Sequence, residues 1–214
     1  MIERVHYITK DDARFSHEEL CELACSAGVR LVQLRRKNVS EQELLKSAQA
    51  CREITKRYGA KLIINDHVDI ALEVGADGVH LGLNDMDTGE ARKQCPKDFI
   101  IGGTANSFED LAHHYSNGVD YVGLGPFRFT STKEQLSPVL GIEGYRVMVQ
   151  RMQEDGIHLP VIAIGGITLE DCVNLKESGV HGIAVSGLIT DAADKEQVIT
   201  TVLKKWKYAE FENS

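Results

Sequence analysis

Gln33, Arg35 and Lys37 alternate in the segment LVQLRRK, so an extended backbone aims an amide and two cations to one side. That set suits a polyanion carrying a hydrogen-bonding heterocycle, although the segment alone also reads as a solvated charged turn. Asn65-Asp66 follows the apolar run KLII, and Asp85 ends the stretch His80-Leu-Gly-Leu-Asn-Asp85. Two carboxylates beside cations are what an Mg²⁺ ion bridging to a diphosphate needs, since Mg²⁺ prefers oxygen and usually takes one or two ligands from protein. Asp66 also stands where an N-cap of the segment VDIALEVG would be. His67 and His80 read as structural histidines beside apolar strands rather than as a transition-metal pair.

A second group of residues suits phosphate. Thr104 follows Gly102-Gly103, and Thr130-Ser131-Thr132-Lys133 places hydroxyls beside an ammonium. Gly165-Gly166 and Ser186-Gly187 each follow an apolar run, where small residues let backbone N–H groups approach an anion closely. Each glycine alone is a tight turn; together they predict a second anion site, separate from the first. No Ser-His-Asp order appears and no cysteine stands at these positions. Chemistry here is therefore expected to run on leaving-group stabilisation rather than on a nucleophile activated by a base.

The elements that must position these groups follow from periodicity. Short apolar runs of strand length occur at 5–9, 31–34, 61–64, 78–81, 99–102, 120–124, 160–164 and 181–186, separated by amphipathic segments. Ser16-x-x-Glu19 and Ser40-x-x-Glu43 fit the capping box, and Ser107-x-x-Asp110 and Thr168-x-x-Asp171 are its shorter-acid relatives. Gly75, Gly118 and Gly179 each stand where a helix should stop before an apolar run. One βα unit repeated eight times in 214 residues predicts a compact α/β (β/α)₈ TIM barrel, a single domain over 1–214. A doubly wound open sheet is disfavoured because no G-x-G-x-x-G follows the first run. The stretch 125–141 is long for a βα connection and reads as an anion-gripping, lid-like loop.

Composition agrees with this architecture. With 43% hydrophobic and 26% charged residues and a mean hydropathy of −0.20, the chain is neither disordered nor a membrane span. Its net charge of −8 argues against general binding to nucleic acid or anionic membrane, so an anionic ligand must meet a local basic site. The five cysteines, Cys21, Cys25, Cys51, Cys95 and Cys172, are scattered, form no C-x-x-C, and read as reduced packing thiols of a cytoplasmic protein. The N-terminus carries no secretory signal pattern.

In combination, Gln33-Leu-Arg-Arg-Lys37, Asn65-Asp66-His-Val-Asp-Ile-Ala-Leu, Gly75-Ala-Asp-Gly-Val-His-Leu-Gly82 with Asp85, Thr130-Ser-Thr-Lys133 and Ala163-Ile-Gly-Gly-Ile167 resemble the thiamine-phosphate synthase family, from about residue 5 to 190. The resemblance implies condensation of 4-amino-2-methyl-5-hydroxymethylpyrimidine diphosphate with 4-methyl-5-(2-hydroxyethyl)thiazole phosphate, giving thiamine phosphate and pyrophosphate. It implies that Gln33, Arg35, Lys37, Asn65, Thr104 and Lys133 hold the pyrimidine diphosphate. Asp66 and Asp85 are implied to bind Mg²⁺, and Thr130, Ser131, Thr132, Gly166, Ser186 and Gly187 to hold the thiazole phosphate. Arg35, Lys37, Thr104 and Lys133 are the implied catalytic set, acting while the C–O bond breaks to a pyrimidine-stabilised carbocation that the thiazole nitrogen captures.

The chain departs from the family pattern in four places: Thr104 where serine is common, Phe129 where proline is, Leu83-Asn84 where Gln-Glu is, and Gly187 where serine is. The sister branch of thiazole tautomerases is the nearest alternative. It carries histidine at the position of Asn106 and typically lacks the aspartates kept here as Asp66 and Asp85. A non-catalytic phosphate-binding barrel is a further alternative, which the joint presence of Lys37, Asp66, Asp85 and Lys133 disfavours. Small phosphorylated substrates, with neither nucleic acid nor membrane, are the implied partners, and a homo-oligomer is compatible with this reading.

Overall fold

The computed structural model describes residues 1–129 and 138–206. Four expected site residues, Thr130, Ser131, Thr132 and Lys133, lie outside the described residues, as does the middle of the expected lid, 130–137. Elements alternate as β1 (Val5–Ile8), α1 (His17–Ser26), β2 (Leu31–Leu34), α2 (Glu41–Tyr58), β3 (Lys61–Asn65), α3 (Val68–Glu73), β4 (Gly78–Leu81) and α4 (Thr88–Gln94). They continue as β5 (Ile100–Ala105), α5 (Phe108–Ser116), β6 (Tyr121–Leu124), α6 (Gly141–Glu154), β7 (Val161–Ile164), α7 (Asp171–Glu177), β8 (Gly182–Val185), the one-turn α8 (Gly187–Thr190) and α9 (Lys195–Trp206). The eight strands are parallel, neighbour each other in chain order and close through β1 and β8, the expected TIM barrel.

Local sequence explains most boundaries. Ser16, Ser40 and Ser107 cap α1, α2 and α5, each through a complete capping box. The fourth expected box does not form. Helix α7 starts after Glu170, and the Asp171 carboxylate accepts from both Thr168 N–H (2.8 Å) and its hydroxyl (3.0 Å) while it also pairs with Arg128. Strand β5 runs beyond the expected end at Gly102 to Ala105, because its two glycines make room for neighbours instead of ending the strand. A Cβ on Gly102 would lie 2.2 Å from Tyr121 Cζ, and one on Gly103 would lie 2.6 Å from His114 Cε1.

Strand alternation divides the core in two. Outward residues such as Tyr7, Val32, Leu62, Val79, Ile101, Val122, Ile183 and Val185 pack against the helices. The barrel interior holds a smaller apolar plug of Ile8, Tyr121, Ile162 and Ala184 and, beside it, the buried polar side chains of His6, Gln33 and His80. The expectation that the cysteines pack in the core holds for Cys21, Cys25, Cys51 and Cys172, all buried and unpaired, while Cys95 is half-buried. No helix among the described residues is long and apolar enough to cross a membrane.

His6 sits wholly inside, with Nε2 2.9 Å from Glu3 O and its ring edge-on to Tyr121 at 5.1 Å. Burial pushes its pKa down from 6.5 to about 3. Between those values the unfolded chain holds a proton that the folded chain lacks, so stability falls as pH drops from 6.5 towards 3. One such proton contributes a slope of about 1.4 kcal/mol per pH unit. Urea midpoints of wild type and His6→Gln measured from pH 7 to 4 should converge as pH falls, because the variant lacks this acid penalty; parallel curves would mean that His6 stays protonated in the fold.

Candidate active site at the carboxyl ends of the strands

The floor of the site is a hydrogen-bonded chain that crosses the barrel. The Tyr121 hydroxyl bonds to the Gln33 side chain, His80 Nδ1 lies 3.0 Å from the Tyr121 hydroxyl, and His80 Nε2 lies 3.0 Å from Thr104 Oγ1. Gly102 and Gly123 leave space for these rings, since a Cβ on Gly123 would stand 3.1 Å from His80 Cε1. The sequence reading, which expected no nucleophile activated by a base, did not place this hydroxyl–imidazole pair. Its third member is a phenol, kept neutral because burial raises the Tyr121 pKa. A neutral phenol does not stabilise an imidazolium as a carboxylate would, so the chain orients the Thr104 hydroxyl at the cleft rather than stripping its proton.

One wall grows from β2 to β4. Arg35 lines the cleft, with its backbone N–H 3.1 Å from Thr9 Oγ1, while Arg36 turns outward to Ser47 Oγ at 2.6 Å. Lys37 stands at the rim, half-exposed, with Nζ 3.5 Å from Asp66 Oδ2. Asp66 has a positive φ of 67° and gives its N–H to His80 O at 2.9 Å. This left-handed backbone is costly for a residue with a Cβ and is concentrated at functional sites. The N-cap of α3 is His67, with no side-chain cap bond, so the capping alternative for Asp66 is not realised. Asp85 is fixed by a tight loop in which its Oδ2 accepts from Gly82 N–H at 2.6 Å and its own N–H bonds Gly82 O at 3.2 Å. Burial, then the facing Asp85 carboxylate, raises the Asp66 pKa, and Lys37 opposes the shift.

The opposite wall comes from β6 to β8. Gly165 and Gly166 both have positive φ, +100° and +67°, and a Cβ on Gly165 would press to 2.8 Å from Pro126 Cβ beside the cis peptide Gly125–Pro126. The Ser186 hydroxyl is buried and has no hydrogen-bond partner among the described residues, and Gly187 opens α8. Arg128 bridges this wall to α7 through Asp171, with contacts of 2.8 and 3.0 Å.

Both walls border one cleft of about 360 Å³, lined by Gln33, Arg35, Asn65, Thr104, Gly166, Ser186 and Gly187 among others. The two anion sites expected to be separate are thus two sides of a single opening. Lys37, Asp66 and Asp85 cluster at its rim. Sequence reasoning missed Tyr121 and Lys10, and gave His80 only a structural place. A signal for Lys10 existed: the register pairs Ile8 with Gln33, so two residues further on Lys10 stands beside Arg35 at the cleft.

A closed parallel barrel with phosphate-suited small residues after β7 and β8 and a carboxylate–lysine rim after β2 to β4 defines a barrel enzyme for phosphorylated small molecules. The family model described as thiamine monophosphate synthase matches residues 5–189, and the chain belongs to that family. It is 48% identical over 190 residues to the thiamine-phosphate synthase of Phocaeicola vulgatus, covering 89% of this chain and 91% of that one. It is 38% identical to that of Archaeoglobus fulgidus over 193 residues, 90% of this chain and 88% of the other. Among solved structures, thiamine phosphate pyrophosphorylase from Pyrococcus furiosus superposes with a TM-score of 0.84 at 31% identity, covering 95% of each chain.

Proposed function

We propose that this protein condenses 4-amino-2-methyl-5-hydroxymethylpyrimidine diphosphate with 4-methyl-5-(2-hydroxyethyl)thiazole phosphate, releasing pyrophosphate and forming thiamine phosphate. The observation that carries the reading is the opposition, across one cleft, of a wall of cations and carboxylates and a wall of small residues and exposed backbone. Two phosphorylated substrates enter such a cleft from opposite sides. Family membership supports the same reading.

Gln33, Asn65 and Thr104 hold the pyrimidine diphosphate at the floor, and Arg35 and Lys37, with Lys133, receive the departing pyrophosphate. As the C–O bond breaks, negative charge grows on the leaving group, and cations already in place stabilise it without reorganising. Gly166, Ser186 and Gly187, with Thr130, Ser131 and Thr132, hold the thiazole phosphate, so that its ring nitrogen faces the developing carbocation. The unpartnered Ser186 hydroxyl supports this assignment, because a buried hydroxyl without a partner is costly and a phosphate oxygen would satisfy it. Of the departures from the family pattern, Thr104 keeps the hydroxyl and Ser186 supplies one beside Gly187.

The donor set fits Mg²⁺. Asp85 faces Asp66 closely enough to disfavour the charge on Asp66, and no group of three or more metal-binding side chains exists among the described residues. Two carboxylates plus diphosphate oxygens and water make a magnesium site, and an all-protein cage is not required. When bound, the ion would neutralise the diphosphate as it leaves. Asn106 separates this reading from the tautomerase alternative: its side-chain amide donates to Gly125 O, a structural tie in place of a proton-transferring histidine. The unpaired cysteines support a cytoplasmic location.

Purified protein supplied with both substrates and Mg²⁺ should form thiamine phosphate and pyrophosphate in equal amounts, and removing Mg²⁺ with a chelator should stop both. Absence of Mg²⁺-dependent product would sink the proposal.

A further inference from the structure

The phosphate wall after β7 and β8 consists of backbone and hydroxyl groups, and the cations at the rim belong to the opposite wall. Among the described residues, one ammonium nevertheless reaches it. Lys10 follows β1, which lies between β8 and β2 in the closed sheet, and its side chain lines the cleft together with Gly187 and Asp191. The backbone just before it is held: Thr9 N–H donates to Gln33 O at 3.0 Å, and the Thr9 hydroxyl meets Arg35 N–H and His17 Nδ1 at 3.1 and 2.8 Å. Lys10 Nζ lies 2.7 Å from Asp191 Oδ1 and 2.8 Å from Oδ2. Asp191 is the residue after α8, with its N–H bonded to Gly187 O at 2.9 Å, so its carboxylate folds back over the start of that turn. A Cβ built on Gly187 would stand 2.9 Å from Asp191 Oδ2 and 3.9 Å from Lys10 Nζ. The carboxylate thus occupies space next to the backbone that an incoming anion would approach.

We propose that Lys10 is a cation of the thiazole-phosphate side of the cleft, and that Asp191 is a placeholder whose carboxylate the substrate phosphate displaces from Lys10. The inference rests on the proposed function for the identity of that substrate. A side-chain carboxylate carries one negative charge, whereas a phosphate monoester carries about 1.5 to 2 near neutral pH and offers three acceptor oxygens. Asp191 is 60% exposed, and an ion pair that open to water is weakly held, so exchange of one anion for the other is easy. The pair keeps Lys10 extended towards the site while it is empty, and Asp191 lowers the affinity by competing.

Two substitutions with opposite expected signs test this. Michaelis constants for each substrate would be measured with wild type, Lys10→Ala, Lys10→Arg and Asp191→Asn, alongside calorimetric titration of the thiazole phosphate alone. Lys10→Ala should weaken the thiazole phosphate about tenfold, with a smaller effect on the pyrimidine diphosphate, as expected for losing one charge-assisted contact. Lys10→Arg should recover part of the loss, and Asp191→Asn should tighten the thiazole phosphate by removing its competitor. If the pair were only a strut for α8, both Lys10→Ala and Asp191→Asn would weaken binding, and that result overturns the proposal. Loss confined to the pyrimidine diphosphate overturns it as well. Wild-type turnover keeps the two readings apart. Product formed normally with Lys10→Ala indifferent to thiazole phosphate defeats this inference alone; no product, but weaker titration by Lys10→Ala, defeats the assigned reaction and leaves the cation site standing.

Discussion

Asp85→Ala should leave a folded barrel whose turnover falls at least about 100-fold, in line with removing a metal ligand or one preorganised charge-stabilising group. Asp85 is exposed and makes its side-chain contacts within its own loop, to Gly82, and with Asp66 across the rim. It contributes nothing to the packed core, so the change in stability should stay within about 0.5 kcal/mol. Initial rates over a range of Mg²⁺ concentrations, paired with a thermal melt, separate the two effects. Partial recovery at high Mg²⁺ with an unchanged melting temperature fits a weakened metal site. Undiminished turnover would make Asp85 a loop acid and remove half of the proposed metal site.

Gly102→Ala acts in the opposite sense, on the fold first. The added methyl would lie 2.2 Å from Tyr121 Cζ and 2.5 Å from its hydroxyl, inside a barrel where Tyr121 is 1% exposed and has nowhere to go. Overpacking of this severity should cost about 3 kcal/mol or more, a fall in melting temperature of roughly 6–12 °C at this chain length. The fraction that stays folded should also turn over slowly, because the displaced phenol joins Gln33 to His80 and so to Thr104. Gly59→Ala is the control. Gly59 has a φ of +60° but open space around it, so its loss costs only the backbone strain, about 1 kcal/mol. A melting temperature for Gly102→Ala no lower than that of Gly59→Ala would show that the interior yields more than these distances allow.

The barrel was legible from the chain because an apolar run recurs eight times and local chemistry marks many of the boundaries between them, with hydroxyl caps at Ser16, Ser40 and Ser107 and glycine stops at Gly75, Gly118 and Gly179. Gly75, for instance, ends its helix at φ +61°, the conformation that its position implied. Site positions were legible where they follow the apolar runs, as with Arg35, Asn65 and Ser186 at the cleft. What escaped were features set by neighbours distant in sequence. Gly102 and Gly103 look like a turn until the Tyr121 and His114 rings that need their space are known. Thr168 and Asp171 look like a capping box until Arg128, 43 residues away in sequence from Asp171, takes up that carboxylate. Thr104 and His80 are 24 residues apart, and no local pattern announces that they meet.

The furrow of small residues under the rings also limits how this enzyme can be recombined. The glycines that accommodate Tyr121 and His80 lie on strands other than those that carry the rings: Gly102 on β5 accepts Tyr121 from β6, and Gly123 on β6 accepts His80 from β4. A chimera joined to a relative between β4 and β6 inherits ring and furrow from different parents, and it folds only if both parents use the same sizes at these four positions. Joints placed between β1 and β3, or after β7, leave the set intact. Strands four to six therefore form a natural exchange cassette, defined by interlocking volumes that cross the repeat boundaries.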